Sequence, residues 1–345
     1  MADTTMKAIT ILSPGSMSVQ QVPMEKQPQR GEVIVRIKAG GICGSDLHVF
    51  HGRSTFATYP RVIGHEIAGE IYAVGDDVMN VQKGDAVAVD PLYACGKCYA
   101  CVIGRPNVCS DLKVMGAHID GGFRQYVTTN QTNVHLLPDA VAWEEGALIE
   151  PFTIAAEAID RGGITSIDKT LICGAGPIGM AVLQTVKLSG AQAMILDTLD
   201  TRLMRAKELW PDCETVNTEK DNVTRRVMEW TSNEGANLII EATGSIKVME
   251  SCISLWVSQA GRVVTLGFTP DYMNVRPSDI MRRELDIRGS RLNNNKFPIV
   301  IEWLRKGLIH PKALISHRFL YEDVADAFQL IQDSPEETLK IVLNF

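Results

Sequence analysis

The chain shows no signal-peptide pattern, no long apolar run and no excess of positive charge. Its first residues, MADTTMKAITILSPGS, have no basic run, no sustained apolar core and no small-residue cleavage site, so they do not read as a signal peptide. No stretch of about 18 apolar residues occurs, which excludes a spanning helix. The 34 Lys and Arg stand against 41 Asp and Glu, a net charge of −7. That balance argues against nucleic acid or an anionic membrane surface as partner. Internal repeats, low-complexity tracts and long linkers are missing too. What remains is the expectation of a cytoplasmic globular protein of 345 residues, long enough for about two domains, acting on a small molecule.

Cysteine is sparse, at 8 residues, but unevenly placed. CGKCYACVIGRPNVC gathers Cys95, Cys98, Cys101 and Cys109 into one short segment. In a reducing compartment disulfides are disfavoured, and the spacing offers four soft thiolates to a single tetrahedral zinc ion. Four thiolates close the coordination shell and leave no position for water or substrate. The cluster therefore reads as a structural brace at 95–109, and the chemistry should lie elsewhere.

The grammar of the chain changes once. Up to about residue 152 it is β-rich: GEVIVRIKAG alternates Val33, Val35 and Ile37, and KGDAVAVD alternates Val87 and Val89, with glycine and proline between. From there strands and helices alternate through KTLICGAGPIGMAVLQTVKLSGAQAMILD, ANLIIEATGS, SIKVMESCISLWVSQAG and GRVVTLGF. That alternation predicts an α/β fold, a doubly wound parallel sheet over 153–289. After about residue 289 two helical stretches and a last strand, KIVLNF, are too short to stand alone. They are expected to return to the first domain, giving 1–152 plus 290–345.

Gly174-Ala175-Gly176-Pro177-Ile178-Gly179 forms a G-x-G-x-x-G after an apolar strand and at the start of a helix, with Asp197 closing the next strand. Gly174 permits the tight turn, Gly176 lets the backbone approach a pyrophosphate, and Gly179 lets helix and sheet pack closely. The helix N-terminus supplies donors and dipole to the phosphates. The carboxylate of Asp197 suits the adenosine ribose hydroxyls and would repel a 2′-phosphate, so NAD is favoured. Arg202 lies near enough to accommodate NADP, or to be merely solvated. Cys173, Cys213 and Cys252 read as buried or surface residues, and His51, His135, His310 and His317 as loop or surface residues.

GGICGSDLH carries Cys43, Ser45 and His48; PRVIGHEIAGE carries His65 and Glu66; ALIEPF carries Glu150 before Pro151. A thiolate, an imidazole and a carboxylate make a zinc set that leaves a position open. Together with the four-cysteine segment and GAGPIG, in that order, these segments resemble the zinc-dependent medium-chain dehydrogenase family over essentially the whole chain. The resemblance implies a GroES-like catalytic domain beside a Rossmann domain, and catalytic and structural zinc. It implies oxidation of a hydroxyl by hydride transfer to NAD, and a homodimer or homotetramer.

Simple alcohol dehydrogenases of this family complete the catalytic zinc shell with a second cysteine. None occurs here between Cys109 and Cys173. Glu150-Pro151 stands there instead, which resembles the sorbitol, polyol and sugar-acid branch. Carried over, Cys43, His65 and Glu66 are ligands and Glu150 ligates or orients a water, with the division between Glu66 and Glu150 open. Cys95, Cys98, Cys101 and Cys109 hold the structural zinc. Ser45 and His48 form a proton relay. Thr243, Leu266, Phe268 and Ser290 join the cofactor set, and His118, Arg291 and Asn293 the substrate set. SRLNNNKFPIVIEWL, YPRVIGHE and IEPFTIAA are most similar to bacterial starvation-sensing dehydrogenases and their sugar-acid relatives. An aldonate such as L-gulonate or L-idonate is then the leading substrate, gripped by Arg291. Otherwise 290–296 is a polar loop capping the next helix. A neutral polyol or an alditol phosphate comes second and threonine third. From a different class, a non-catalytic NADH-sensing regulator would be favoured by loss of Cys43, Ser45 or His65, all of which are present. A zinc-free quinone reductase would lack both cysteine sets.

Overall fold

The computed structural model describes residues 5–24 and 27–345. Two compact units emerge: Met1–Glu150 with Phe297–Lys306 and Pro311–Phe345, and Pro151–Lys296 with Gly307–His310. The second extends beyond the boundary expected at 289. Ser290 N–H donates to Thr265 O (3.0 Å) and Lys296 Nζ reaches Asp160 (2.6 Å), which ties 290–296 to that unit. No helix among the described residues is long and apolar enough to cross a membrane.

The first unit is built on a seven-stranded sheet. Its path runs Val134–Leu136, Ala86–Val89, Glu66–Val74, Glu32–Gly41, Lys340–Asn344 and Ile315–Leu320, with Tyr126–Asn130 also pairing Glu32–Gly41. Val33, Val35 and Ile37 pack with Ile67, Ile71, Val87, Val89, Phe123, Ile341 and Leu343 in one core. Each such buried side chain contributes about 1.5–3 kcal/mol. The last strand lies antiparallel to Glu32–Gly41 with Val342 opposite Gly41, so the end of the chain is stitched beside Ile42. His135, expected in a loop or on the surface, instead sits on a strand and stacks on Phe297, ring centroids 4.8 Å apart.

In the second unit six parallel strands run in the order Glu214–Asn217, Gln192–Asp197, Lys169–Cys173, Ala236–Glu241, Val257–Thr265, Asp286–Gly289. The order steps outward in both directions from Lys169–Cys173 and Ala236–Glu241. The carboxyl ends of those two strands are the switch point where such sheets bind dinucleotides. Leu171, Cys173, Met194, Leu196, Val216, Ile239 and Val263 are buried, as near-continuous apolar runs in a parallel sheet should be. The strand Val257–Thr265 begins earlier than GRVVTLGF suggests, because the preceding helix ends in a single π turn at Cys252–Trp256.

Candidate active site

Cys43 is the N-cap of the short helix Gly44–Phe50, and Asp46 in its first turn accepts the Cys43 N–H at 2.9 Å. The other oxygen of Asp46 accepts the Gly64 N–H (3.1 Å) and lies 3.8 Å from His65 Nδ1. One buried carboxylate therefore ties the loop carrying Cys43 to the loop carrying His65. A carboxylate at this distance attracts the Nδ1 side of the ring electrostatically, leaving Nε2 available to a metal. Burial raises the pKa of Asp46, and the neighbouring His65 offsets part of that. Burial also works against a charge on His65, but the Cys43 sulfur and the Asp46 carboxylate outweigh it and raise its pKa well above the usual value.

One ligand atom from each of Cys43, His65 and Glu66 lies within 4.8 Å of the others. Tetrahedral zinc with bonds of about 2.0–2.3 Å needs ligand atoms about 3.3–3.8 Å apart, so modest closure suffices and the donor set fits. Glu66, wholly buried, begins the strand Glu66–Val74, and its oxygens accept from Lys340 Nζ at 2.7 and 2.9 Å. Lys340 is itself 2% exposed and also donates to Ile42 O (3.0 Å). Burial disfavours its charge, yet Glu66 and Cys43 hold its pKa above that of a free lysine.

Glu150 enters from the first turn of the helix Ile149–Gly162 and is 4% exposed. Burial pushes its pKa up to about 8 against the pull of His65. Its carboxylate stays outside the cluster formed by the other three. Ser45 Oγ lies 3.4 Å from His65 Nε2, while His48 is exposed three residues on along the same helix. His118 Nδ1 accepts the Val114 N–H (3.3 Å) and its ring stacks on Phe56 at 4.9 Å.

Cys95, Cys98, Cys101 and Cys109 form a second group of the same tightness. Sulfurs approach to 3.5 Å between Cys98 and Cys101 and 3.7 Å between Cys98 and Cys109, and the N–H groups of Cys95 and Asp111 each point at Cys109 Sγ (3.3 Å). Backbone donors at Ser110 and Cys101 hold Cys98 down to about 5, whereas burial and the neighbouring thiols push Cys101 up to about 12. Four thiols this close cannot all ionise without a cation, and a thiolate-bound zinc is the cation that fits.

In the second unit the turn after Lys169–Cys173 has Gly174 at φ +98°, a conformation that penalises any side chain. A Cβ on Gly179 would lie 1.7 Å from Gly174 O, whereas one on Gly176 would meet nothing within 4 Å. The helix Pro177–Ser189 starts here with proline in its first turn, leaving an open cradle of the kind a pyrophosphate fills. Pro177 and Ile178 open that helix. Asp197 accepts the N–H groups of Ala175 (2.7 Å) and Leu199 (3.0 Å), and Arg202 lies 3.9 Å from it. Of the remaining cofactor residues, Thr243 and Phe268 are exposed and Leu266 is half-buried. Ser290 and Asn293 are buried, with Ser290 Oγ and Asn293 Nδ2 lacking a hydrogen-bond partner among the described residues, while Arg291 is exposed.

Two residues escaped sequence reasoning. Asp46 stood in view, three residues after an N-cap, where a side chain reaches back to the cap N–H. Lys340 left one trace: a cation opening an otherwise apolar last strand.

The alcohol dehydrogenase GroES-like domain family matches residues 29–139 and the zinc-binding dehydrogenase family residues 177–306. The starvation-sensing protein RspB of Escherichia coli K12 is 42% identical over 99% of each chain. The L-galactonate-5-dehydrogenase of Escherichia coli K12 is 31% identical over 92% of this chain and 93% of that one. A crystal structure of the RspB dehydrogenase from Escherichia coli CFT073, complexed with NADH, superposes with a TM-score of 0.94 at 40% identity, covering 99% of this chain and 100% of that one.

Proposed function

The chain belongs to the zinc-dependent medium-chain dehydrogenase family, on its polyol and sugar-acid branch, and we propose that it oxidises a secondary hydroxyl of a sugar acid with NAD. The observation that carries this reading is the Cys43, His65 and Glu66 cluster, with ligand atoms within 4.8 Å of one another. A bound zinc ion supplies a Lewis acid for a hydroxyl oxygen, and a bound dinucleotide a hydride acceptor. Cys43, His65 and Glu66 would hold the metal, with Asp46 facing the Nδ1 side of His65. Glu150, with its raised pKa, stands by to ligate or to orient a water. Ser45 Oγ, 3.4 Å from His65 Nε2, accepts the hydroxyl proton as it gives up its own toward His48, and the exposed His48 releases that proton to solvent.

Asp197 supports NAD over NADP, because its carboxylate would repel a 2′-phosphate while the nearby Arg202 is already drawn to it. The sugar-acid reading rests on the loop 290–296. Arg291 in this loop is exposed, and its guanidinium suits a bidentate grip on a carboxylate. The Asn293 amide nitrogen, without a partner among the described residues while its oxygen accepts the Lys296 N–H (3.4 Å), is the donor offered to a hydroxyl. The relative named for L-galactonate supports the same class.

The test is NADH formation by the zinc-loaded protein with a panel of aldonates and the matching neutral alditols. Aldonates should be preferred, and Arg291→Ala should raise KM for the aldonate at least about tenfold, the value of one charge-assisted pair, with little effect on an alditol. Equal use of alditols would sink the sugar-acid reading and leave a neutral polyol dehydrogenase.

A further inference from the structure

A buried carboxylate lies outside the metal cluster, in the cofactor sheet. Glu241 ends the strand Ala236–Glu241, one of the two strands from which the sheet order steps outward, and is wholly buried. Its Oε1 accepts the N–H groups of Thr243 (2.7 Å) and Gly244 (3.0 Å) and the Thr243 hydroxyl. Its backbone carbonyl accepts the N–H groups of Leu266 (2.8 Å) and Gly267 (3.3 Å), at the end of the neighbouring strand. A single residue thus holds two separate turns.

Those turns are in close contact. A Cβ on Gly267 would lie 2.2 Å from Gly244 N and 2.7 Å from Glu241 Oε2. The first turn also abuts the phosphate-binding motif, since a Cβ on Gly174 would meet Thr243 Cγ2 at 3.1 Å and Ala242 N–H donates to Cys173 O (3.0 Å). Fold stability alone is a poor reason for a carboxylate here. Among the described residues no cation pairs with Glu241, and Oε2 has no hydrogen-bond partner. Burying such a group is costly. In return one side-chain oxygen accepts two backbone N–H groups and a hydroxyl of the same turn at once.

We infer that Glu241 is a positioning residue for the dinucleotide: it sets the spacing of the Thr243–Gly244 and Leu266–Gly267 turns beside Gly174, acting through them and not by touching the cofactor. This rests on the dinucleotide reading of the Gly174–Gly179 turn. The Thr243–Gly244 turn, held by one oxygen at the end of the side chain, is sensitive to side-chain length and tolerant of an amide, which still offers a carbonyl acceptor, whereas the bonds from Leu266 and Gly267 go to the backbone carbonyl. A role of the charge would have the opposite tolerance.

The experiment is the Kd for NADH, by fluorescence, of the zinc-loaded protein and its Glu241→Gln and Glu241→Asp variants, beside their melting temperatures. Glu241→Gln should stay within about threefold of the parent even if its melting temperature falls, while Glu241→Asp weakens binding about tenfold or more. Unchanged affinity in both variants overturns the inference, because the carboxylate is then only structural. So does the reverse order, which would assign the effect to charge. If Glu241→Asp does not fold, Glu241→Ala puts the same question: loss of the acceptor should weaken NADH binding about tenfold or more, and an unchanged Kd overturns the inference as well. Failure of the parent protein to bind NADH would instead remove the dinucleotide reading beneath it.

Discussion

Lys340 and Glu66 form a buried ion pair at the edge of the candidate metal cluster, and the two residues lie 274 positions apart. That separation is why sequence reasoning found one and not the other. Glu66 sits in a local motif beside His65, where residue type and spacing carry the signal. Nothing local to Lys340 says which carboxylate it meets. Asp46 is intermediate: its place in the helix cap is local, but its second bond, to Gly64 N–H, is not. The pair has a measurable consequence. Removing one partner of a buried pair leaves an uncompensated charge and typically costs about 3–5 kcal/mol, whereas removing both is often close to neutral. Lys340→Met should therefore destabilise the chelated, zinc-free protein by about 3 kcal/mol in denaturant unfolding, and Glu66→Gln/Lys340→Met should recover most of that. Additive losses in the double variant would show that the two side chains do not depend on each other.

Strands and helices were legible where their periodicity was uninterrupted. The alternation of GEVIVRIKAG and the apolar runs of the parallel sheet appear as strands because burial on one face or on both leaves a pattern in sequence. The early start of Val257–Thr265 was not legible, since a π turn changes the helical period just before it. The contact between the strand Val134–Leu136 and the helix Phe297–Arg305 was also hidden, because it joins distant segments through His135 stacked at 11° on Phe297. Burial lowers His135 from 6.5 to about 4. The folded chain thus prefers the neutral ring, and between those values the unfolded chain binds more protons. Stability is then fully present above pH 6.5 and lost as pH falls toward 4, by about 3 kcal/mol at most. His135→Phe keeps an aromatic ring in the stack and removes the titration. Relative to that variant, the parent should lose stability progressively on acidification, read as the difference in unfolding midpoint at each pH. A difference that does not vary with pH would mean that the ring titrates normally in the fold.

For the molecule as a whole, the two candidate metal groups lie in one compact unit and the dinucleotide turn in the other. In the sequence the grammar changes within a few residues of Glu150, from β-rich to alternating strands and helices. The segment 290–296 was the exception, held to the second unit by the bonds of Ser290 and Lys296. The division also separates the effects of metal and cofactor. Metal binding to a site that the unfolded chain lacks adds directly to the stability of the part that forms the site. If both candidate groups in the first unit hold zinc, chelation should weaken that unit. Neither the Gly174–Gly179 turn, held by backbone geometry, nor Asp197, held by the N–H groups of Ala175 and Leu199, depends on a metal ligand. Prolonged treatment with a strong chelator should thus remove about two zinc ions per chain and abolish turnover. It should also speed amide exchange in the 95–109 segment and around Cys43 and His65. NADH should still bind with nearly unchanged affinity, and its binding should slow exchange in the strands Lys169–Cys173 and Gln192–Asp197 of the metal-free chain. Loss of NADH binding in step with zinc would contradict the independence of the two sites and mean that the dinucleotide turn relies on metal held by the other unit.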